Sequence, residues 1–594
     1  MVQTRPELAG DFGMVASTHW LASAAGMRML ELGGNAFDAA AAAGFTLQVV
    51  EPHLNGPGGE VPMLVRRAGE DAVTVVAGQG RAPAAATIEH FAGLGLELVP
   101  GTGHLAACVP AAFDAWLTLV ERFGTLPLAD VLAPAIGYAR TGYPVLPAIS
   151  RTIGTVERLF REHWPSSAAV YLPDGRVPRP GERLRNPTLA GTFERLAQLA
   201  AGHAREAGLR AARDAFYRGF VAEAIDAFVR TPVLDTSGRA HAGLLSADDL
   251  AGWTTPLEAP ATYDFGAYRV AKTGPWGQGP VLLQQLALLT GFDLADTGPG
   301  DPQLVHLVVE AAKLAFADRE AHYGDVPDVP LETLLSAAYN DERRALIGPE
   351  ASAELRPGAP DGRPPRLPHL PDAMAAGPGV GEPTIEPVVD ALAVDPQGGT
   401  RGDTCHVDVV DRFGNMISAT PSGSWLQSSP VIPELGFGLG TRAQMFWLER
   451  GLPNSLAPGK RPRTTLSPSL ALRDGEPYLA FGTPGGDQQD QWQLQFLLFH
   501  ATFDLNLQEA IDAPTWHTTA FPSSFYPRES IVRGVVVEDR LGADPLAELR
   551  RRGHAVTPVD AWSLGRLSAV SRSPHGFLKA AANPRGAQGY AVGR

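Results

Sequence analysis

GDTCHVDVVDRFGN, residues 402–415, lies where a proline-rich segment of this 594-residue chain meets a β-strand pattern. Ten of the 48 residues in 356–403 are proline and no hydrophobic period survives there, which predicts a linker. After the linker, TCHVDVV and MISATPS read as strands on either side of the turn DRFGN, and PSLALR and PYLAFG follow as further strands. The chain therefore divides near residue 403 into a mainly helical N-terminal two thirds and a strand-rich C-terminal third.

Thr404 stands at this junction and suggests a chemistry. A threonine hydroxyl is a weak nucleophile, but a free α-amine titrates near pH 8, so cleavage of the preceding bond would make Thr404 both nucleophile and general base. The alternative is that Thr404 is an ordinary β-branched strand residue. Spacing alone favours the ordinary strand residue.

Two later segments bear on the choice. In FGTPGGDQQ, residues 481–489, the pair Gly485 and Gly486 would let backbone N–H groups turn towards an oxyanion, although a simple glycine turn has the same sequence. In RPRTTLSPSL, residues 461–470, Thr464 and Thr465 offer hydroxyl donors before a strand, although they also suit an ordinary strand entry.

The N-terminal part reads as helices around one loop and two strands. Helical spacing covers 18–32 and Ala36–Val50, with Asn35 as N-cap, and EPHLNGPGGE leads into the strands PMLVRR and AVTVVAG. Ser246 and Asp249 form a predicted capping box. Further helices are predicted over 110–123, 129–140, 188–201, 211–229, Pro280–Leu289 and 303–323.

Composition excludes several classes of protein. A formal charge of −15 without a dense basic run argues against nucleic-acid binding, and two cysteines supply neither a disulfide framework nor a four-cysteine zinc site. The sequence contains no G-x-S-x-G, H-E-x-x-H, Walker A or strand-linked G-x-G-x-x-G motif. The N-terminal residues lack an apolar run, so we expect a soluble cytoplasmic protein with no membrane association.

The order of these segments resembles the γ-glutamyltransferase (γ-glutamyltranspeptidase, glutathione hydrolase) family of N-terminal-nucleophile hydrolases. The resemblance extends over nearly the whole chain. It is carried by LELGGNAFDAAAAAGFTLQVVEPHLNGPGG, HAGLLSADDLAGW, GPWGQGPVLLQQLALL, HLVVEAAKLAFADREAHYGD, the Thr404 strand, KRPRTTLSPSLALRDG, the TPGG loop and NPRGAQGYAVG.

The resemblance implies an α+β fold, a four-layer αββα sandwich made as one self-cleaving precursor. Cleavage between Asp403 and Thr404 would give a large subunit, 1–403, and a small subunit, 404–594, that stay interleaved. Thr404 would attack a small-molecule amide such as a γ-glutamyl compound, Gly485 and Gly486 would hold the oxyanion, and water or an acceptor amine would complete hydrolysis or transfer. No cofactor and no metal is implied, and assembly into higher oligomers stays open.

The charged contacts of the family pocket are altered in this sequence. The family arginine that pairs with the substrate carboxylate falls on Gln79, with Arg81 on the same face if the segment is a strand. The family acid that pairs with the substrate amine falls on Phe446, beside Trp447, with Glu449 as a weaker replacement. Thr464 and Thr465 remain as predicted substrate contacts.

Neighbours of the nucleophile also differ from the family pattern. The second family threonine maps to Ser422, which keeps a hydroxyl for Thr404, and the next contact maps to Ser424. We expect Cys405 to pack on the opposite side of the strand, and His406 to be a structural hydrogen-bond partner or a local acid/base group. Two alternatives to a γ-glutamyl enzyme stay open: a cephalosporin-acylase-like amidase acting on less polar acyl groups, and an unprocessed, non-catalytic binding protein.

Overall fold

The computed structural model describes residues 3–369, 404–585 and 588–594. Asp403 and most of the predicted linker lie outside these residues. The helices of the described residues are α1 Trp20–Glu31, α2 Ala36–Val50, α3 Ile88–Gly93, α4 Ala112–Phe123, α5 Leu128–Thr141, α6 Pro147–Glu162, α7 Pro165–Tyr171, α8 Pro187–Ala201, α9 Arg205–Tyr217, α10 Phe220–Val229, α11 Ala247–Ala251, α12 Pro280–Leu289, α13 Pro302–His322, α14 Leu331–Leu334, α15 Ala337–Arg344, α16 Gln489–Phe503, α17 Leu507–Asp512 and α18 Ala543–Arg551.

The strands alternate with these helices along the chain. They are β1 Leu8–Gly10, β2 Gly13–Ser17, β3 Val61–Arg66, β4 Val73–Gly78, β5 Tyr143–Pro144, β6 Arg183–Leu184, β7 Val233–Leu234, β8 Ala240–His241, β9 Leu257–Glu258, β10 Ala261–Phe265, β11 Tyr268–Lys272, β12 Val407–Asp411, β13 Met416–Ala419, β14 Ser469–Arg473, β15 Glu476–Gly482, β16 Trp516–Thr518, β17 Gly534–Glu538, β18 Ala555–Val559, β19 Ser568–Arg572, β20 Leu578–Ala582 and β21 Tyr590–Gly593.

Two seven-stranded sheets contain most of these strands. Sheet I has the order β21-β2-β12-β13-β3-β4-β9, and sheet II has the order β1-β20-β19-β15-β14-β11-β10. Both sheets combine strands from before and after residue 403. The two predicted subunits therefore share both seven-stranded sheets.

The hydrophobic side chains separate into clusters on either side of each sheet. In β12, Val407 and Val409 pack with the N-terminal helices, whereas Val410 packs with Leu470 and Ala580 of sheet II. A third cluster joins sheet II to α12, α13 and α16. This alternation is the period of two expected for strands that are buried on both faces.

The local predictions are confirmed where capping signals were strong. Asn35 caps α2 through the N–H groups of Phe37 and Asp38, and Ser246 and Asp249 form the predicted capping box of α11. The prediction of one helix over 211–229 is wrong, because Gly219 has φ −113° and ψ −143° and separates α9 from α10. No helix of the described residues is long and apolar enough to span a membrane.

Candidate active site

Thr404 lies just before β12, in the interior of the protein. It is fully buried and forms an antiparallel bridge with Ser422, which follows β13. Its Oγ1 donates a hydrogen bond to Ser422 Oγ at 3.1 Å. The structure therefore joins the two hydroxyl residues that the sequence placed together.

The same bridge continues across sheet I as a row of polar residues. Ser422 also bridges Glu60, which immediately precedes β3, and Glu60 N donates to Ser422 O at 2.9 Å. Directly opposed residues share a face of a sheet. We call Thr404, Ser422 and Glu60 the nucleophile row.

Arg442 ties two members of this row together. It begins a short 3₁₀ turn, Arg442–Met445, and is 2% exposed. Its Nε donates to Glu60 Oε1 at 2.6 Å and its Nη2 donates to Ser422 Oγ at 2.9 Å. Burial raises the pKa of Glu60, and the positive charge of Arg442 opposes that rise. The Ser422 hydroxyl thus accepts hydrogen bonds from both Thr404 and Arg442.

An apolar cluster surrounds the guanidinium of Arg442. Trp425, Met445 and Phe525 form this cluster, and the Arg442 Cζ lies 5.3 Å from the Trp425 ring centroid and 5.7 Å from that of Phe525. Aromatic faces attract a cation and exclude water around it. The charges beside the nucleophile therefore act in a poorly solvated setting.

Cys405 points to the opposite side of the strand, as the alternation predicts. It belongs to the hydrophobic cluster beneath the N-terminal helices, and its Sγ contacts Glu51 Oε2 at 3.1 Å. Burial and the nearby Glu51 carboxylate raise the Cys405 pKa well above its ordinary value. A thiol held in this way packs and does not act as a nucleophile.

His406 is held on the Thr404 side by three polar neighbours. Its Nδ1 lies 3.0 Å from Thr420 Oγ1, and its Nε2 lies 2.9 Å from Asp408 Oδ1 and 3.3 Å from Ser418 Oγ. A side chain at Gly482 would collide with its ring. These contacts fit the structural hydrogen-bonding reading of His406.

The loop that contains Gly485 and Gly486 starts beside His406, directly after Gly482 and β15. Gly485 has φ +127° and Gly486 has φ +53°, in the region that favours glycine, and a Cβ at Gly485 would collide with Trp492. The sequence therefore needs glycine at both positions for a backbone reason, independent of any oxyanion.

Three side chains that sequence reasoning did not single out hold this loop in place. Gln278 Nε2 donates to Gly486 O at 3.0 Å, and Arg319 Nη1 donates to Gln278 Oε1 at 3.0 Å. Arg319 also pairs with Asp487, whose carboxylate accepts hydrogen bonds from Ser524 N and Oγ at 2.7 Å each. The glycine loop is thereby fixed from both sides.

Gln278 also links the glycine loop to the two threonines. Its backbone N donates to Thr464 O at 2.9 Å. The Thr464 hydroxyl accepts from Leu466 N at 3.3 Å, whereas Thr465 Oγ1 is buried without a hydrogen-bond partner in the described part of the chain. A buried hydroxyl of this kind is available to a bound molecule.

Comparison with known proteins assigns the chain to a family. The sequence profile of the γ-glutamyltranspeptidase family matches residues 22–593. The chain belongs to the γ-glutamyltranspeptidase family.

Its relatives cover the whole chain. The glutathione hydrolase-like YwrD proenzyme of Bacillus subtilis is 31% identical, covering 98% of this chain and 99% of the relative. A solved LmbA2991 structure is 59% identical with a TM-score of 0.94 and covers 100% of both chains. The cephalosporin acylase from Bacillus halodurans is 30% identical with a TM-score of 0.80, covering 100% of this chain and 97% of that one.

The predicted carboxylate contacts separate in the structure. Gln79 is buried, its Nε2 donates to Gly80 O at 3.3 Å, and its Oε1 has no partner among the described residues. Arg81 is exposed, with its Cζ 5.8 Å from the Trp253 ring centroid. The condition under which Arg81 would share the face of Gln79 is not met, because β4 ends at Gly78 and the strand does not continue to Arg81.

Phe446, Trp447 and Glu449 lie at or near the position where the sequence pattern predicts an amine-binding acid. Each of them contacts other residues of the protein. Phe446 packs in an apolar cluster with Ala82 and Leu456, and Trp447 Nε1 donates to Glu320 Oε1 at 2.7 Å. Glu449 is exposed and accepts from His369 N at 2.7 Å.

Ser424 is engaged within its own loop. Its Oγ donates to Gly438 O at 2.5 Å and its φ is +57°. The predicted role of Ser424 as a substrate contact stays a prediction, as does the cleavage bond, since Asp403 lies outside the described residues.

One group of potential metal ligands occurs in the described residues, outside the nucleophile row. His306, Glu310 and His554 lie together, with His306 Nδ1 2.9 Å from His554 Nε2. Both Glu310 carboxylate oxygens already pair with cations, Oε1 with Lys313 Nζ and Oε2 with Arg356 Nη2. Glu310 is therefore already neutralised, and a metal there would have to displace two positive charges.

Proposed function

We propose that the chain is a self-processing amidohydrolase that cleaves itself before Thr404 and then hydrolyses γ-glutamyl amides of the glutathione type. The observation that carries this proposal is the hydrogen-bonded series Thr404–Ser422–Arg442 at the start of β12, within a γ-glutamyltranspeptidase family chain. The names of its relatives, which include glutathione hydrolases, support the substrate class.

Maturation begins with the Thr404 hydroxyl attacking the Asp403 carbonyl carbon. The peptide C–N bond breaks, an ester joins Asp403 to Thr404 Oγ1, and the Thr404 nitrogen takes up the proton that the hydroxyl loses. Water then hydrolyses the ester, which frees the Asp403 carboxylate, the Thr404 hydroxyl and the Thr404 α-amine. The Ser422 hydroxyl, held by Arg442, aims the Thr404 hydroxyl in both states.

Turnover uses the same oxygen. The α-amine takes the hydroxyl proton as Thr404 Oγ1 attacks the substrate amide carbon, and it passes that proton to the departing amine when the C–N bond breaks. The Gly485–Gly486 loop stabilises the oxyanion in this proposal. Water then cleaves the acyl-enzyme to a carboxylic acid, and an acceptor amine in its place completes acyl transfer.

We further propose that the fold is a four-layer αββα sandwich shared by the subunits 1–403 and 404–594. Support comes from the hydrophobic cluster between sheets I and II and from the two further clusters that join each sheet to helices. Two chains that share each sheet would stay associated after cleavage, because each buries apolar strands of the other.

A second candidate function is amide hydrolysis with less polar acyl groups. Phe446 at the family's acidic position and the Trp425–Met445–Phe525 cluster favour it, and a cephalosporin acylase is among the similar structures. Donor preference separates the two candidates.

The test is hydrolysis of γ-glutamyl-p-nitroanilide and of glutathione by the purified protein, with Thr404→Ala as the control. We expect activity in the wild type and none above background in the variant. Activity retained by Thr404→Ala contradicts the proposal, and a processed protein that ignores γ-glutamyl donors but cleaves neutral acyl anilides favours the second candidate. A wild type that stays uncut and inactive supports the non-catalytic alternative.

A further inference from the structure

Two charged side chains of the described residues are linked to the nucleophile through Ser422. Arg442 Nη2 lies 2.9 Å from Ser422 Oγ, which lies 3.1 Å from Thr404 Oγ1, and Glu60 bridges Ser422 across the sheet. Both are buried. The positions where the family places substrate-binding charges, by contrast, hold neutral Gln79 and Phe446.

We propose that the Glu60–Arg442 pair is the acyl-donor recognition site, in which Arg442 binds the donor's carboxylate and Glu60 binds its amine. This inference rests on the proposed function and names the residues that select its donor. It assigns the positive and the negative donor-binding group to Arg442 and Glu60, two positions that the family resemblance did not indicate.

Distance supports this assignment. Two hydrogen bonds separate Arg442 Nη2 from Thr404 Oγ1. The carbon chain between the reacting carbonyl and the amino-acid end of a γ-glutamyl group covers a comparable length. A donor acylating Thr404 is therefore long enough to bring its charged end to the Glu60–Arg442 pair.

The geometry of the guanidinium supports it as well. Arg442 contacts Glu60 Oε1 through both Nε and Nη2, and Nη2 also donates to Ser422 Oγ on the nucleophile side. The planar fork of arginine suits a carboxylate approaching from the nucleophile side. Trp425 and Phe525, within 6 Å of the Cζ, exclude water there and strengthen the attraction.

The ion pair between Glu60 and Arg442 explains how the site holds two buried charges when no donor is bound. A lone buried charge is costly, but Glu60 and Arg442 neutralise one another in the free protein. A zwitterionic donor can exchange that one ion pair for two, Arg442 with carboxylate and Glu60 with ammonium. No charge is left unpaired before or after binding, whereas a donor with one charge leaves one partner unmatched.

The test compares three p-nitroanilide donors with the same carbon chain: γ-glutamyl, which carries carboxylate and amine; glutaryl, which carries the carboxylate alone; and pentanoyl, which is neutral. Relative kcat/KM values are measured for the wild type, Glu60→Gln, Arg442→Gln and the double variant, which leaves no lone buried charge. Ratios between donors cancel any general loss of catalysis.

We expect Glu60→Gln to lower the γ-glutamyl/glutaryl ratio at least about tenfold and Arg442→Gln to lower both charged donors about tenfold or more against pentanoyl. Glu538→Gln is the matched control, because Glu538 and Arg585 form another buried pair, with Arg585 Nε 2.9 Å from Glu538 Oε1. It should lower the melting temperature and leave the ratios unchanged.

Equal losses on all three donors would overturn the inference, because they would mean that the pair only positions Ser422. Should Arg442→Gln fail to mature, the isosteric Glu60→Gln variant decides alone, and an unchanged γ-glutamyl/glutaryl ratio contradicts the assignment. A wild type that matures but cleaves none of the donors overturns the proposed function and this inference with it. Wild-type activity with unchanged ratios overturns the inference only.

Discussion

Arg442 donates a hydrogen bond to Ser422 across 20 residues of sequence, from Nη2 to Oγ at 2.9 Å. The same oxygen accepts the hydrogen bond of Thr404 Oγ1, so the guanidinium is coupled through Ser422 to the hydroxyl of the proposed nucleophile. This coupling makes Ser422 the residue whose hydroxyl is most informative to remove.

Ser422→Ala should slow hydrolysis by about 100-fold in kcat with a smaller change in KM, because the Thr404 hydroxyl loses its orienting acceptor. Ser422→Thr restores a hydroxyl and should recover most of the rate. Steady-state kinetics checks both, with Ser150→Ala as control, since Ser150 Oγ bonds Pro178 O in a distant loop. Equal rates for Ser422→Ala and the wild type would remove Ser422 from the mechanism.

Gly485→Ala should abolish activity and lower thermal stability, because alanine at φ +127° is strained and its Cβ would collide with Trp492. Gly181→Ala is the matched control: φ is +85° there and no atom lies within 4 Å of a new Cβ. The Gly181→Ala variant should lose only about 1 kcal/mol of stability, from backbone strain, and should keep full activity. A fully active Gly485→Ala protein would show that the loop's conformation is dispensable.

We expect the free energy of unfolding to fall as pH rises, because the buried Glu51 carboxyl loses its proton. Burial raises its pKa from 4.5 to about 7, although Thr18, Arg566 and Cys405 favour its charged form. The folded protein therefore holds a proton that the unfolded chain has lost, so stability is full below about pH 4.5 and falls up to about pH 7. The loss amounts to about 3 kcal/mol.

Denaturant unfolding of the uncut Thr404→Ala protein at a series of pH values checks this prediction. Adding Glu51→Gln should flatten the decline between about pH 4.5 and 7, because glutamine does not titrate. An equally steep decline in the Glu51→Gln protein would assign the pH dependence to other groups.

Cys405→Ala should mature and hydrolyse donors at close to the wild-type rate, since the thiol is buried and its pKa is raised far from neutrality. Iodoacetamide at pH 7 should likewise leave wild-type activity intact. Inactivation by the reagent that disappears in Cys405→Ala would show that the thiol is reachable and matters for turnover.

Local signals predicted the segments near the nucleophile, and long-range contacts supplied what sequence reasoning missed. The signals that determine α2, its N-cap Asn35 and its 15 helical residues, are adjacent in the sequence. The predicted and the observed helix therefore coincide. Glu60 and Arg442 meet from positions 382 residues apart, in segments without a hydrophobic period. In the sequence, each of these residues is recognisable only as a single charge beside glycines and apolar residues. Glu60 lies before β3, and Arg442 lies after the GFGLG run.

Arg81 shows how much depends on where a strand ends. The sequence placed Arg81 on the face of Gln79 only if the segment was a strand, but β4 ends at Gly78, where a Cβ would collide with Val61 O. Strand ends depend on what packs against them, and residue types alone do not locate them. The family pattern was accordingly more dependable for the Thr404 and Ser422 hydroxyls, which a paired ladder fixes, than for residues beyond a strand end.

Intact mass with N-terminal sequencing of the purified wild type shows whether the chain cleaves itself before Thr404. We expect two polypeptides of 403 and 191 residues, about 43 and 20 kDa in proportion to the 62.8 kDa chain, with the smaller beginning TCHVDVV and Thr404→Ala remaining whole. A wild-type protein that stays at 62.8 kDa, or one cut at another bond, would contradict this expectation.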